Sequence, residues 1–92
     1  MNIIWSDLAK EYYLFILDQL FEKWTIEIVE KFEIETFSLI DNIENQNHIC
    51  PKSRIINLHK CVVNHHISLI YRINNNQLEI VTFIFNESNH LY

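Results

Sequence analysis

The sequence has 92 residues, of which 49% are hydrophobic and 13% aromatic, and its formal net charge is −5. This length suits a single domain over residues 1–92, and the apolar content excludes a disordered chain. The sequence contains no glycine. Because phosphate-binding loops and dinucleotide fingerprints need backbone that approaches phosphate without a Cβ, nucleotide-dependent enzymes are disfavoured.

The amino-terminal residues have neither a basic region nor the apolar run of a signal peptide, and no stretch reaches the roughly 18 apolar residues of a membrane helix. We therefore expect a cytoplasmic protein without membrane contacts. Cys50 and Cys61 are the only cysteines, and in that compartment two thiols are expected to be free. The cysteines and histidines lack the paired spacing of zinc ligands, so no metal or other cofactor is expected.

The predicted elements begin with a short strand at residues 2–5 and a helix over residues 7–23, for which Ser6 is a suitable N-cap. Apolar residues cover most of the circumference of this helix, which indicates burial on more than one side. Thr25 can cap a second helix that ends near Glu44 and has one apolar stripe. The short break between the helices predicts an antiparallel hairpin.

Residues 45–59 are polar and broken by Pro51, which predicts a loop. After this loop the hydrophobic period becomes two, as in strands. The predicted strands lie at residues 61–63, 67–73 and 78–85. An asparagine triplet at 74–76 suits the last hairpin turn, because asparagine tolerates positive φ. The order β-α-α-β-β-β predicts an α+β fold in which an N-terminal helical hairpin packs on a small, mainly antiparallel sheet.

Charge is divided between the two halves of the chain. Residues 1–44 carry ten acids and three bases, a net −7, whereas residues 45–92 carry four bases and two acids, a net +2. All five histidines also lie in the second half. The helical hairpin is therefore acidic, and the sheet with its preceding loop is mildly basic.

Four stretches of the sequence carry a family resemblance. They are IIWSDLA at 3–9, LFEKWT at 20–25, CVVNHHISLIYRI at 61–73 and LEIVTF at 78–83. Together they resemble the RelE/ParE toxins of type II toxin–antitoxin systems, over almost the whole chain and in the family's order of elements. The resemblance implies a bacterial toxin that inhibits growth, of the kind used in plasmid stabilisation, and a cognate antitoxin that binds and neutralises it.

The family offers two activities. RelE-like members cleave messenger RNA, usually on the ribosome, whereas ParE-like members poison DNA gyrase without a catalytic site of their own. A protein that neutralises several phosphates normally has a strong basic patch, so the acidic hairpin and the few bases favour a ParE-like protein over an enzyme. If the chain is an enzyme, it is expected to be a metal-independent endoribonuclease.

A third possibility is a binding module that keeps the toxin fold without toxicity. Many relatives continue after the last strand with an Asp-Asn-Arg-Gln type of segment, whereas this chain continues from Phe85 with Asn86-Glu87-Ser88. Glu87 falls where the arginine is expected. Any function that rests on that arginine is therefore in question.

Cleavage of RNA through its own 2′-hydroxyl needs a base, an acid and cations around the phosphate. The candidate side chains for these roles are Arg54, Lys60, His65, Arg72, His90 and Tyr92. Alternatively, these side chains have no catalytic role, and His65 is a solvated turn residue while His90 and Tyr92 belong to a frayed tail.

Arg72 is the first candidate for contact with a target, followed by Lys60 and Arg54. The strand period places Arg72 on the sheet face opposite Tyr71, away from the helices. The alternative is an ordinary ion pair on the sheet surface with Glu79 or Glu87.

The antitoxin is expected to contact a second apolar stripe on the first helix. This stripe contains Leu14, Leu17 and Phe21. One sheet and one neighbouring helix cannot hide every apolar residue of this helix, which leaves surface for a partner. The alternative is that the stripe packs beneath the long loop.

Overall fold

The computed structural model describes residues 1–92, and its elements follow the predicted order. They are β1 (Asn2–Trp5), α1 (Asp7–Lys23), α2 (Ile26–Asn45), β2 (His59–Val62), β3 (Ile67–Asn74) and β4 (Gln77–Phe85). The α+β class and the helical hairpin between the first and second strands are confirmed. Neither helix has the length and apolar character needed to cross a bilayer.

The four strands form one sheet in the order β1-β4-β3-β2. The β2–β3 and β3–β4 pairs are antiparallel, and β1 joins the edge of β4 in parallel. The sheet is thus mainly antiparallel, as predicted. At the β3–β4 turn Asn75 has φ 56°, a left-handed conformation that asparagine adopts more easily than most residues.

Both helices pack on the same face of the sheet. Ile16 of α1 and Phe32 of α2 are buried against Leu69 and Tyr71 of β3 and Phe83 of β4. Leu69 and Tyr71 belong to the face that the period of two predicts for the core, whereas Phe83 reaches that face because one residue of β4, Val81, is unpaired between Ile80 and Thr82. The hydrophobic pattern therefore positions the hairpin correctly on the sheet.

Ser6 joins the start of α1 to the sheet. Its hydroxyl oxygen accepts a hydrogen bond from the N–H of Ala9 at 3.0 Å, which confirms the predicted cap. The same hydroxyl donates to the carbonyl of Val81 at 2.6 Å. Val81 is the extra residue of a β-bulge, since Thr82 pairs with Ile70 and Ile80 with Tyr71. One side chain thus fixes both the helix entry and the irregularity in β4.

The segment before β2 is more ordered than the predicted loop. Lys52 forms an antiparallel bridge with His59, and the N–H of Lys60 donates to the carbonyl of Pro51 at 3.0 Å. Residues 50–52 therefore run along the outer edge of β2. This pairing draws His59 and Lys60 into β2, so the predicted start of the strand at Cys61 was two residues late.

The prediction of free thiols was wrong. Cys50 and Cys61 form a disulfide, with their Cα atoms 5.3 Å apart. The antiparallel pairing of residues 50–52 with β2 is the physical reason, because it places the two cysteines opposite each other. The prediction of free thiols rested on the expected cytoplasmic location, whereas the pairing register of residues 50–52 with β2 brings the two cysteines together.

Candidate functional site

The sheet face that the helices leave free carries charged residues from three strands. Lys60 on β2 pairs with Ile70, two residues before Arg72 on β3, so Lys60 and Arg72 point to the same side. Glu79 on β4 is the cross-strand partner of Arg72. We call this surface, together with residues 86–92 that cross it, the tail face.

Residues 86–92 are held on the tail face by hydrogen bonds at both ends. The hydroxyl of Ser68 donates to the side-chain oxygen of Asn86. At the far end the carbonyl oxygen of Tyr92 accepts from the N–H of Arg54 at 3.2 Å and from the hydroxyl of Ser53 at 3.3 Å. The frayed tail considered from the sequence is therefore wrong. Ser68 is 18 residues from Asn86 in the sequence and Ser53 is 39 residues from Tyr92, so both contacts are beyond the reach of local sequence patterns.

The course of the tail explains an unexpected pattern of burial. Ser68, Ile70 and Thr82 are buried although they lie on the face without helices. Since the helices pack on the other side, the tail and the loop before β2 provide the cover. The cover is incomplete, since Val62, which pairs with Ser68 on the same face, is 65% exposed.

The tail places His90 against Lys60. Nε2 of His90 lies 3.5 Å from Nζ of Lys60, and the imidazole nitrogen accepts because an ammonium group only donates. Nδ1 of His90 is buried without a hydrogen-bond partner. The ring of Tyr92 lies 6.4 Å from that of His90. Three predicted candidates, Lys60, His90 and Tyr92, therefore meet at one place, and the backbone N–H of Arg54 donates to the carbonyl oxygen of Tyr92.

Arg72 lies on the tail face as predicted, and its guanidinium Nε donates to the carboxylate of Glu79. The side chains are 48% and 27% exposed, so the pair contributes about 1 kcal/mol or less to stability. One Nε–H occupies only one of the five donors of a guanidinium. Arg72 therefore retains donors for a further partner while Glu79 holds its orientation.

His65 lies apart from this group. It is exposed in the turn between β2 and β3, at the end of β3 opposite Arg72. The hydrogen bonds of that turn come from Asn64, whose side-chain oxygen accepts from the N–H groups of His66 and Ile67. The structure thus does not bring His65 together with Lys60, His90 and Tyr92.

Beside the tail face, a cavity of about 800 Å³ opens between the loop before β2 and the end of β3. Lys52 and Arg72 line it together with His48 and His59. The carbonyl oxygen of Cys50 accepts from Nδ1 of His59 at 2.9 Å. In the neutral ring this makes Nε2 of His59 an acceptor, 3.4 Å from Nδ1 of His48.

Tyr71 of β3 also contacts this pair of histidines. Its ring stacks on that of His59 at 5.0 Å, and its hydroxyl donates to the carbonyl of Asn47 at 2.9 Å. Burial raises the pKa of Tyr71 above its usual value, so the phenol stays a neutral donor. His48 was not among the residues predicted from the sequence. The repeated His-x-Cys pattern at 48–50 and 59–61 was the available signal.

The four bases of the second half lie in the loop before β2 or on the tail face. They are Lys52, Arg54, Lys60 and Arg72. Ten of the twelve acids belong to the segment with the helices, on the other side of the sheet. The sheet therefore separates a mildly basic surface from an acidic one. No group of three or more histidine, cysteine or acidic side chains is arranged to hold a metal ion.

The residues predicted to bind an antitoxin differ in exposure. Leu14 and Phe21 are 61% and 59% exposed, so the loop before β2 does not cover them. Leu17 is half-buried and packs against the core. Tyr13, on the buried side of α1, has its pKa raised to about 12, chiefly by burial and also by the negative charge of Glu33.

No protein-family model and no curated protein sequence matches the chain. Its fold is shared with solved structures. A chain described as "Chromosomal ParDE TA system from P. aeruginosa" superposes with a TM-score of 0.80 at 14% identity, over 95% of this chain and 97% of that chain.

Two structures from Staphylococcus aureus share the fold at lower scores. The structure described as a YoeB dimer has a TM-score of 0.65 at 19% identity, over 89% of this chain and 92% of that chain. The one described as a YoeB-YefM complex has a TM-score of 0.66 at 18% identity, over 94% and 97%. The likeness confirms the RelE/ParE toxin fold predicted from the sequence, and at these identities it establishes the fold alone.

Proposed function

We propose that the chain is the toxin of a type II toxin–antitoxin pair, that it acts in the cytoplasm on a protein target in the manner of ParE, and that a cognate antitoxin neutralises it. The observation that carries this proposal is the fold shared with a chain of the ParDE system over 95% of the sequence at a TM-score of 0.80. The TM-scores of the YoeB structures are lower, at 0.65 and 0.66.

Electrostatics favour a protein target over a nucleic acid. Four bases surround the tail face and its neighbouring cavity, and one of them, Arg72, is already paired with Glu79. The helical hairpin behind the sheet has a net charge of −7. A nucleic acid would meet few cations and a repulsive field at longer range. For a ParE-like toxin the candidate target is DNA gyrase.

The proposed antitoxin leads to a first prediction. Because large apolar side chains such as Leu14, Phe21 and Ile34 are more than half exposed, the protein expressed alone is expected to be poorly soluble. Co-expression with the adjacent gene should restore solubility, and the two products should co-purify as a complex measured by size-exclusion chromatography. A soluble monomer whose behaviour is unaffected by the adjacent gene would contradict the proposed partner.

A messenger-RNA endoribonuclease is the second candidate function, and one observation favours it. Lys60, His90 and Tyr92 meet on the tail face near Arg54, which brings together the cationic, basic and phenolic groups that RNA cleavage uses. RNA extracted after induction separates the candidates. Site-specific message cleavage supports the endoribonuclease, whereas trapped gyrase–DNA complexes and a DNA-damage response support the ParE-like toxin.

Arg72 gives a second prediction, which holds for either target. Replacing Arg72 by Ala is expected to weaken growth inhibition, so that at least about tenfold more colonies survive induction. The reason is that a buried contact to a guanidinium is commonly worth about 1.4 kcal/mol or more, which corresponds to a factor of about ten in affinity. Glu79→Gln is the matched control, since it removes the negative charge of the pair and keeps a side-chain oxygen that can accept from Nε of Arg72. The free energy of unfolding of both variants should lie within about 1 kcal/mol of that of the unsubstituted protein. Undiminished killing by Arg72→Ala would remove Arg72 from the site.

A non-toxic binding module is the third candidate. Its support is Glu87, which stands at an expected arginine position and is exposed beside Asn86 at the start of the tail. In this case the chain would still bind a partner, but its expression would leave growth unchanged. Glu87→Arg would test whether that position alone accounts for the lack of toxicity.

A further inference from the structure

Two histidines and two cysteines form a repeated pattern around the loop before β2. His48 precedes Cys50 by two residues, and His59 precedes Cys61 by two. The pairing of residues 50–52 with β2 sets the two cysteines opposite each other, with Cα atoms 5.3 Å apart. His59 and Cys61 project to the same side of β2, because side chains two residues apart on a strand share a face. The fold therefore gathers two His-x-Cys units in one region.

The imidazole nitrogens of the two histidines face each other. Nε2 of His59 lies 3.4 Å from Nδ1 of His48, which is longer than a good hydrogen bond between the rings. Two nitrogen atoms bound at about 2.0 Å to one tetrahedral zinc ion lie about 3.3 Å apart. The observed spacing thus suits two ligands of one metal ion better than a direct hydrogen bond.

His59 is held in the orientation that a metal ligand needs. Its Nδ1 donates to the carbonyl oxygen of Cys50 at 2.9 Å, and its ring stacks on that of Tyr71. Metal-binding histidines almost always donate their other ring N–H to a carbonyl or carboxylate oxygen, which fixes the tautomer. The lone pair of Nε2 of His59 is therefore free and directed towards His48.

The disulfide withholds the other two ligands. While the bond is closed neither sulfur is a thiolate, so no set of three free ligands is present. A reducing compartment such as the proposed cytoplasm opens most disulfides. The Cα separation of 5.3 Å between Cys50 and Cys61 is compatible with the roughly 3.8 Å between two sulfur ligands on one zinc ion.

We propose that reduction of the Cys50–Cys61 bond creates a tetrahedral zinc site from Nδ1 of His48, Nε2 of His59 and the two Sγ atoms. A cellular dithiol supplies two electrons and two protons, is itself oxidised to a disulfide, and converts the bond into two thiols. Zn²⁺ then releases both thiol protons to solvent, which leaves a neutral site of two thiolates and two neutral imidazoles.

The surroundings of the site allow a metal ion to enter. His48, Cys50 and His59 line the open cavity of about 800 Å³ beside the tail face, and none of its lining residues is acidic. The ion would replace the disulfide as the cross-link between residues 50–52 and β2. The inference goes beyond the toxin assignment, and only its occurrence in the cell rests on the proposed cytoplasmic location.

Metal binding by the full chain in its two redox forms tests the proposal. After reduction by a phosphine, titration with Zn²⁺ against a chromophoric chelator should show one bound equivalent per chain, and the oxidised chain should bind at least about a hundredfold more weakly. Co²⁺ in place of Zn²⁺ should give the visible bands of tetrahedral coordination and a sulfur-to-metal charge-transfer band. A reduced chain that binds no Zn²⁺, or a Co²⁺ complex without the sulfur band, would overturn the proposal.

Single substitutions locate the ligands. His48→Ala, at an exposed position, should weaken Zn²⁺ binding to the reduced chain about tenfold or more, and Cys50→Ser should also reduce the sulfur band. His66→Ala is the matched control, because His66 is exposed in the β2–β3 turn away from the site. Equal losses in His48→Ala and His66→Ala would mean unspecific binding and would contradict the site.

Thermal unfolding provides a readout that does not depend on the spectra. Zn²⁺ should raise the melting temperature of the reduced chain towards that of the oxidised chain, a chelator should reverse the gain, and the oxidised chain should not respond. No gain in the reduced chain would contradict the metal cross-link. Growth inhibition is a separate measurement, so a toxin that binds no Zn²⁺ loses only this inference, and a harmless chain that binds it loses only the proposed function.

Discussion

Reduction of the Cys50–Cys61 disulfide is expected to lower the free energy of unfolding by about 3 kcal/mol. The bond closes a segment with a sequence separation of 11, and closing a loop of this length removes about that much conformational entropy from the unfolded chain. For a domain of this size the melting temperature should fall by roughly 15 °C. Thermal unfolding followed by circular dichroism, with and without a dithiol reductant, measures the effect.

A double variant, Cys50→Ala with Cys61→Ala, provides the control for this measurement. It should melt near the reduced wild type and show no response to the reductant. The disulfide also anchors the segment from which Ser53 and Arg54 bind Tyr92, so reduction should increase the hydrogen exchange of residues 86–92. An oxidised and a reduced protein with the same melting temperature would contradict a stabilising role of the bond.

Replacing Phe83 by Ala is expected to lower the free energy of unfolding by about 3–5 kcal/mol. Phe83 is 1% exposed, and its ring centroid lies 5.5 Å from that of Trp5 and 5.4 Å from that of Tyr13. The truncation leaves a cavity where β1, α1 and β4 meet. Since domains of this kind have a total stability of about 5–15 kcal/mol, much of the margin is removed.

Phe21→Ala is the matched control, because Phe21 is 59% exposed. Its removal should change the free energy of unfolding by about 0.5 kcal/mol or less. Urea denaturation followed by tryptophan fluorescence compares the two variants. If Phe83→Ala and Phe21→Ala cost the same, the packing of the helices on the sheet would be different from that described.

The elements of the fold were predictable because local periodicity determines them. The change from a helical period to a period of two separated the hairpin from the sheet, and Ser6 and Asn75 marked a helix start and a turn. The same alternation placed Arg72 opposite Tyr71. These features depend on residues that are close in the sequence.

The site was less predictable because its contacts join distant segments. Lys60 and His90 are thirty residues apart, and Ser53 and Tyr92 thirty-nine. The sequence offered both histidine and tyrosine as candidates but no reason to expect an anchored tail. The disulfide was missed for a similar reason, since it depends on the pairing of residues 50–52 with β2.

Growth of a bacterial culture after tightly controlled induction of this chain alone tests the toxin assignment most directly. Wild type should arrest growth within a few generations, Arg72→Ala should not, and co-expression of the adjacent gene should restore growth at equal toxin levels on an immunoblot. Continued growth with folded wild-type protein present at the same level would contradict the assignment.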